Sequence, residues 1–195
     1  TAAQADFLYE DPDSMGGQWA GSRSSQHTYG TYVLDGTSAY AVYEPGDYGG
    51  EDPSGGTEYV YAYQVFNENT STVGLSVFSV GLLDPAMADN VGHDDSAGAP
   101  GVAGGVVEDI ARIGTSSANW AFGWFGGSEV APDEHSAVLL YTSPSAPTWQ
   151  SSTVIDGGLP VSGGAMPSPV PEPAAASLIL LGAGAAVIRR RRSRT

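Results

Sequence analysis

For residues 6–156 the sequence predicts an all-β fold, an antiparallel two-sheet sandwich of immunoglobulin-like or jelly-roll style. Three observations carry that expectation. The body is rich in Gly, Pro, Ser, Thr, Tyr and Val and has no window of sustained helical periodicity. Residues 57–66 (TEYVYAYQVF) place Tyr59, Tyr61, Tyr63 and Val65 on one strand face and Val60, Ala62 and Phe66 on the other, the pattern of a central strand buried on both sides. Short β-prone stretches recur between Gly, Pro, Asp and Ser clusters with no helix between them.

Taken in order, the predicted strands are HTYGTYVL (27–34), SAYAVYE (38–44), TEYVYAYQVF (57–66), TVGLSVFSVGLL (72–83), GVVEDIARIGT (105–115), NWAFGWF (119–125), HSAVLLYTS (135–143) and SSTVIDG (151–157). NENTS (67–71) is expected to close a hairpin between the third and fourth. Val106, Val107, Ile110 and Ile113 also suit one face of a short helix, so the fifth is the least clear. Residues 44–56 and 83–105 are expected as long loops, and residues 157–169, dense in Pro, Gly and Ser, as an extended, flexible spacer.

Charge divides the chain. The formal net charge is −15, there is no lysine, and five of the seven basic residues are Arg189, Arg190, Arg191, Arg192 and Arg194. Before them stand only Arg23 and Arg112. Such a body is repelled by phosphate backbones, which argues against nucleic acid as a partner. No cysteine is present, which excludes disulfides and thiolate nucleophiles. Ala3 and Ala5 have the small-x-small spacing of a signal-peptidase site, so residues 1–5 read as the end of a signal peptide and the chain as exported.

Residues 174–188 are uncharged and apolar. As a helix they would span roughly 22 Å, against ~30 Å of bilayer hydrocarbon, a gap that snorkelling arginines and local thinning can close. Four consecutive arginines on one flank stay cytoplasmic and place the body on the outer side of the inner membrane. Pro171, Glu172 and Pro173, then the short apolar run, then the Arg cluster at 189–194, resemble the PEP-CTERM protein-sorting signal of Gram-negative bacteria. The resemblance spans residues 170–195. It implies exosortase, a membrane-embedded cysteine protease, as a partner, with Pro171, Glu172 and Pro173 as recognition residues, a transient inner-membrane anchor at 174–188 and Arg189, Arg190, Arg191 and Arg192 as the stop-transfer charge. It also implies final residence at the cell surface or in an extracellular polysaccharide (biofilm) matrix. More loosely, the body is similar to β-rich ectodomains of such proteins through Tyr61 to Asn67, Trp120 to Phe125 and Ser143 to Pro147.

The body shows little catalytic chemistry. His27, His93 and His135 lack metal-ligand spacing, and there is no nucleophile elbow, P-loop or dinucleotide fingerprint. The reading is therefore a non-catalytic envelope or matrix protein without a resident cofactor. Two alternatives are kept. Trp120, Phe122 and Trp124 share one strand face and, if exposed, would stack on sugar rings as a carbohydrate-binding module does. An extracellular hydrolase would need paired carboxylates in a cleft. Asp89, Asp94 and Asp95 form an acidic stretch whose oxygens suit calcium, although a solvated loop is the favoured account of them.

Overall fold

The computed structural model describes residues 7–156 and 159–170, with the backbone alone at Asp156 and Leu159. Eleven strands form two antiparallel sheets: β1 (Ala20–Tyr29), β2 (Tyr32–Tyr43), β3 (Tyr59–Asn67), β4 (Val77–Gly81), β5 (Asp89–Asp94), β6 (Ile110–Ile113), β7 (Ser117–Ala121), β8 (Glu134–His135), β9 (Val138–Ser143), β10 (Pro147–Asp156) and β11 (Leu159–Pro169). The first sheet runs β1-β2-β3-β9-β5, with β8 also on β3, and the second β11-β10-β4-β7-β6. No described helix is long and apolar enough to cross a membrane. The expected signal-peptide end, apolar helix, PEP tripeptide and arginines lie outside the described residues.

The main core fills the space between the sheets with Tyr40, Val42, Tyr61, Tyr63 and Val65 from one, Phe78, Val80, Ala118, Trp120, Val154 and Met166 from the other, and Tyr141 of β9. A second cluster, Ala39, Ala41, Val60, Ala62 and Leu140 under Leu8 and Tyr48, covers the outer face of the first sheet. Burial on both faces is what the alternation in 57–66 predicts, and Tyr61, Tyr63, Val60 and Ala62 are all buried. At the sides of the sandwich β1 lies against β11 and β5 against β6. Arg23 of β1 stacks there over Tyr40 and Trp149, 5.4 and 5.5 Å from their ring centres.

Three expectations change and one ambiguity is settled. Residues 27–34 are not one strand: Gly30, at φ +61°, turns the chain, and Tyr29 pairs with Tyr32. Residues 67–71 do not close a hairpin, because β3 and β4 belong to different sheets and the segment crosses between them. The ambiguous segment is a strand, β6, with Ala111 and Ile113 turned to the core. Most consequentially, residues 159–169 are no spacer but β11, paired along β10 from Asp156↔Leu159 to Pro147↔Pro169. An edge position tolerates its prolines, since only one side of the strand must donate hydrogen bonds. The folded body therefore reaches Pro169 rather than ending at Asp156.

Candidate functional site

Strand β7 ends at Ala121, and the aromatic run that begins on it divides there. Trp120 and Phe122 are 0 % exposed, Trp124 54 % and Phe125 87 %. Trp120 stacks on Phe78 and Tyr141, and its indole N–H donates to the carbonyl of Gly92 at 2.8 Å. Gly123 then breaks the alternation: its φ is +73°, and a Cβ there would crowd Glu129. Trp124 consequently leaves the face it would share with Trp120. The Trp124 backbone amide donates to Asp109 Oδ2 at 2.6 Å, and Gly127 packs against the same carboxylate where no side chain would fit. The row Trp120, Phe122, Trp124 is thus two core side chains and one surface ring, so it does not form an exposed stacking platform.

What Trp124 joins instead is the outer face of the second sheet. The register aligns Ile155, Val77, Ala121 and Ile110 in one row across β10, β4, β7 and β6, and Thr153, Ser79, Asn119 and Arg112 in the next. Val77, Ile110, Arg112, Asn119, Ala121 and Trp124 line a groove of about 90 Å³. Asn119 holds Ser117 on both sides, accepting from its hydroxyl at 3.2 Å and donating to its carbonyl at 3.0 Å. Among the described residues the one basic–acidic side-chain contact within 4 Å is His93 with Glu108, so the Arg112 guanidinium has no carboxylate partner there. An apolar strip beside amide, hydroxyl and guanidinium groups matches a pyranose, which is apolar on its faces and hydrogen-bonding at its rim. Arg112 and Asn119 were not singled out from the sequence; the signal was their place opposite Ala111, Ile113 and Trp120 in a period of two.

The acidic stretch behaves differently. Asp89 and Asp94 stand at opposite ends of β5, opposite Thr142 and Val138, so the three aspartates do not converge. Asp94 is buried and accepts from the Tyr48 hydroxyl at 3.0 Å and from the amides of Glu51 and Ser96 at 2.8 Å each. Its oxygens are engaged in fixing residues 48–51 and 96 against the sheet. Asp52 likewise accepts from the Ser54 amide and hydroxyl and the Gly56 amide. Among the described residues no group of three His, Asp or Glu side chains is arranged to hold a metal ion.

The histidines also stay apart. His27 lies on β1, and His135 packs on Phe66 with ring centres 5.5 Å apart. His93 shares a 3.0 Å hydrogen bond with Glu108 and faces an open groove of about 380 Å³ with Glu51, Asp52 and Asn90. Burial pushes the hydroxyl pKa of Tyr43, Tyr48, Tyr61, Tyr63 and Tyr141 well above the ordinary tyrosine value, with the Asp11 and Asp94 charges adding to it at Tyr43 and Tyr48. These tyrosines are neutral hydrogen-bonding struts of the core.

The remaining functional element is the tail, which departs where β11 ends. Tyr63 donates to the carbonyl of Pro167, Ser168 donates to that of Gly81 at 2.8 Å, and the Val170 amide donates to Ala146 at 3.1 Å. The family model for the PEP-CTERM protein-sorting motif matches residues 169–193. The match implies an exported chain that exosortase, a membrane protein, sorts. No curated protein and no solved structure is significantly similar to the chain.

Proposed function

We propose that this is a non-catalytic β-sandwich of the bacterial envelope or extracellular polysaccharide matrix, delivered by its sorting motif and used outside the cell as a folded body. The observation that carries the reading is the seam between strand and signal: β11 ends at Pro169, where the motif match begins. Export thus presents one packed domain with its address attached to its last strand. Calcium has no role in this reading, because the oxygens of Asp94 already serve the fold. The test is the fate of the chain in its own host. A mature form outside the cytoplasm that has lost the arginine cluster supports the reading; an intact cytosolic chain overturns it.

A second reading, carbohydrate binding, is favoured by the groove beside Trp124. Its apolar floor of Val77, Ala121 and Ile110 and its polar edge of Asn119 and Arg112 suit a sugar ring laid on the sheet, with Trp124 as the stacking surface. The purified body retained on host polysaccharide, with retention lost in Trp124→Ala, supports it. Failure of the unaltered body to be retained removes it.

A further inference from the structure

We propose that the groove beside Trp124 takes acidic sugars, with Arg112 as the group that receives a uronate carboxylate. The inference rests on the carbohydrate reading of that groove and names its ligand class. Ahead of the tail the chain holds two arginines, Arg23 and Arg112, and no lysine. Arg23 is engaged in the fold: it lies over the rings of Tyr40 and Trp149, and its guanidinium donates to the Ser22 carbonyl at 3.0 Å. Arg112 is exposed on β6, lines the groove, and has no carboxylate within 4 Å among the described residues. It is the cation left to meet a ligand.

The sheet around Arg112 is the one on which an anion meets least repulsion. β4, β6, β7 and β11 carry no charged side chain other than Arg112, and β10 adds only Asp156, three strands from β6 or roughly 14 Å. In a chain with 22 acidic residues, this leaves a face of Ser79, Thr153, Asn119 and small apolar groups. The carboxylates that flank these strands are committed elsewhere. Asp84 accepts from the Ala86 amide at 2.9 Å, Glu108 holds His93 at 3.0 Å, and Asp109 accepts from the Trp124 amide at 2.6 Å. Glu129 packs against Gly74 and Gly123. A guanidinium presents paired N–H donors that match a carboxylate, and such charge-assisted bonds are stronger than those to a hydroxyl. One cation does not hold a polyphosphate, whose affinity comes from many neutralised charges at once. It suffices for one carboxylate on a ring that also stacks on Trp124. The acidic remainder of the body repels the same polymer elsewhere, so charge selects the face as well as the ligand.

The test compares host polysaccharide in two immobilised forms, native and with its carboxyl groups reduced to alcohols by carbodiimide activation and borohydride, after its uronic acid content has been assayed. Retention of the full chain, kept in mild detergent, is measured on both. The expected result is an apparent affinity about tenfold higher for the native form, the effect of one charge-assisted hydrogen-bonded pair. Arg112→Gln should bring that ratio to about one, and Trp124→Ala should weaken retention on both forms while the preference persists. Equal retention of the unaltered chain on both forms, retention on a polysaccharide that contains no uronate, or a preference unchanged in Arg112→Gln overturns the inference while leaving the carbohydrate reading in place. Retention on neither form overturns both.

Discussion

The Tyr63 hydroxyl donates to the carbonyl of Pro167, joining the middle of β3 to the last strand of the opposite sheet. Its oxygen also lies 3.2 Å from that of Tyr141, so three groups share one buried polar point in an otherwise aromatic core. Tyr63→Phe keeps the ring and its packing but strips the Pro167 carbonyl of its donor. A buried acceptor left unpaired costs ~1–3 kcal/mol, so the variant should show an equivalent fall in denaturant stability with an unchanged m-value.

If β11 belongs to the fold, the two possible domain ends behave differently. A chain ending at Val170 should unfold in one cooperative transition. One ending at Asp156 loses Val161 and Met166 from the main core and leaves β10 as an uncovered edge, paired only with β4. It should be insoluble or lack a cooperative thermal transition, read by calorimetry. A stable, cooperative chain ending at 156 would restore the spacer reading.

The sequence was most readable where strands are central. β3 and β9 carry apolar residues on both faces, and their alternation marks them without ambiguity. The sheet edges β1, β5, β6 and β11 are where reading failed or was weakest. An edge strand needs only one apolar flank, and charge, Gly and Pro along it discourage pairing with other chains. β1 is polar and Ser-rich, β5 looks like an acidic loop, and β11 like a linker. The candidate groove was hidden for a related reason. Trp124 announces itself as an aromatic, but its separation from Trp120 depends on the positive φ of Gly123, and Arg112 and Asn119 come together only through strand pairing.

The division of the aromatic run gives a paired test. Trp120→Ala removes a fully buried indole and its hydrogen bond to Gly92, and should cost ~3–5 kcal/mol of stability. Trp124→Ala, at an exposed position, should change stability by no more than ~0.5 kcal/mol. Chemical denaturation of the two variants checks this. If Trp124→Ala proves the more destabilising, its ring belongs to the core and the groove loses its stacking surface.

Alkaline pH offers a test of the tyrosine struts. Tyr43, Tyr48, Tyr61, Tyr63 and Tyr141 have folded-state pKa values raised above the unfolded value of about 10. Below that value both states keep these protons and the stability is intact. Above it the unfolded chain releases them and the folded chain does not, so stability falls as pH rises. In an alkaline titration their tyrosinate absorbance should appear in one step, together with the loss of near-UV circular dichroism. Gradual ionisation of all ten tyrosines with the fold unchanged would contradict the buried network.

The hold on the end of β11 also restricts where the tail can be cut. A protease binds its substrate extended, with the backbone on both sides of the scissile bond free to pair with the enzyme. In this chain the Pro167 carbonyl, the Ser168 hydroxyl and the Val170 amide are all engaged within the body. Cutting before Val170 would require this end of the sheet to peel away from Tyr63 and Gly81. The last of these contacts is at the Val170 amide, so the mature protein should keep the whole of β11 and end at or after Val170, as read by intact mass of the exported form. Tyr63→Phe, which loosens the same end, should leave that mass unchanged if the cut lies well clear of the sheet and should add shorter products if fraying exposes new bonds. A wild-type product ending before Pro169 would show that the strand opens during processing.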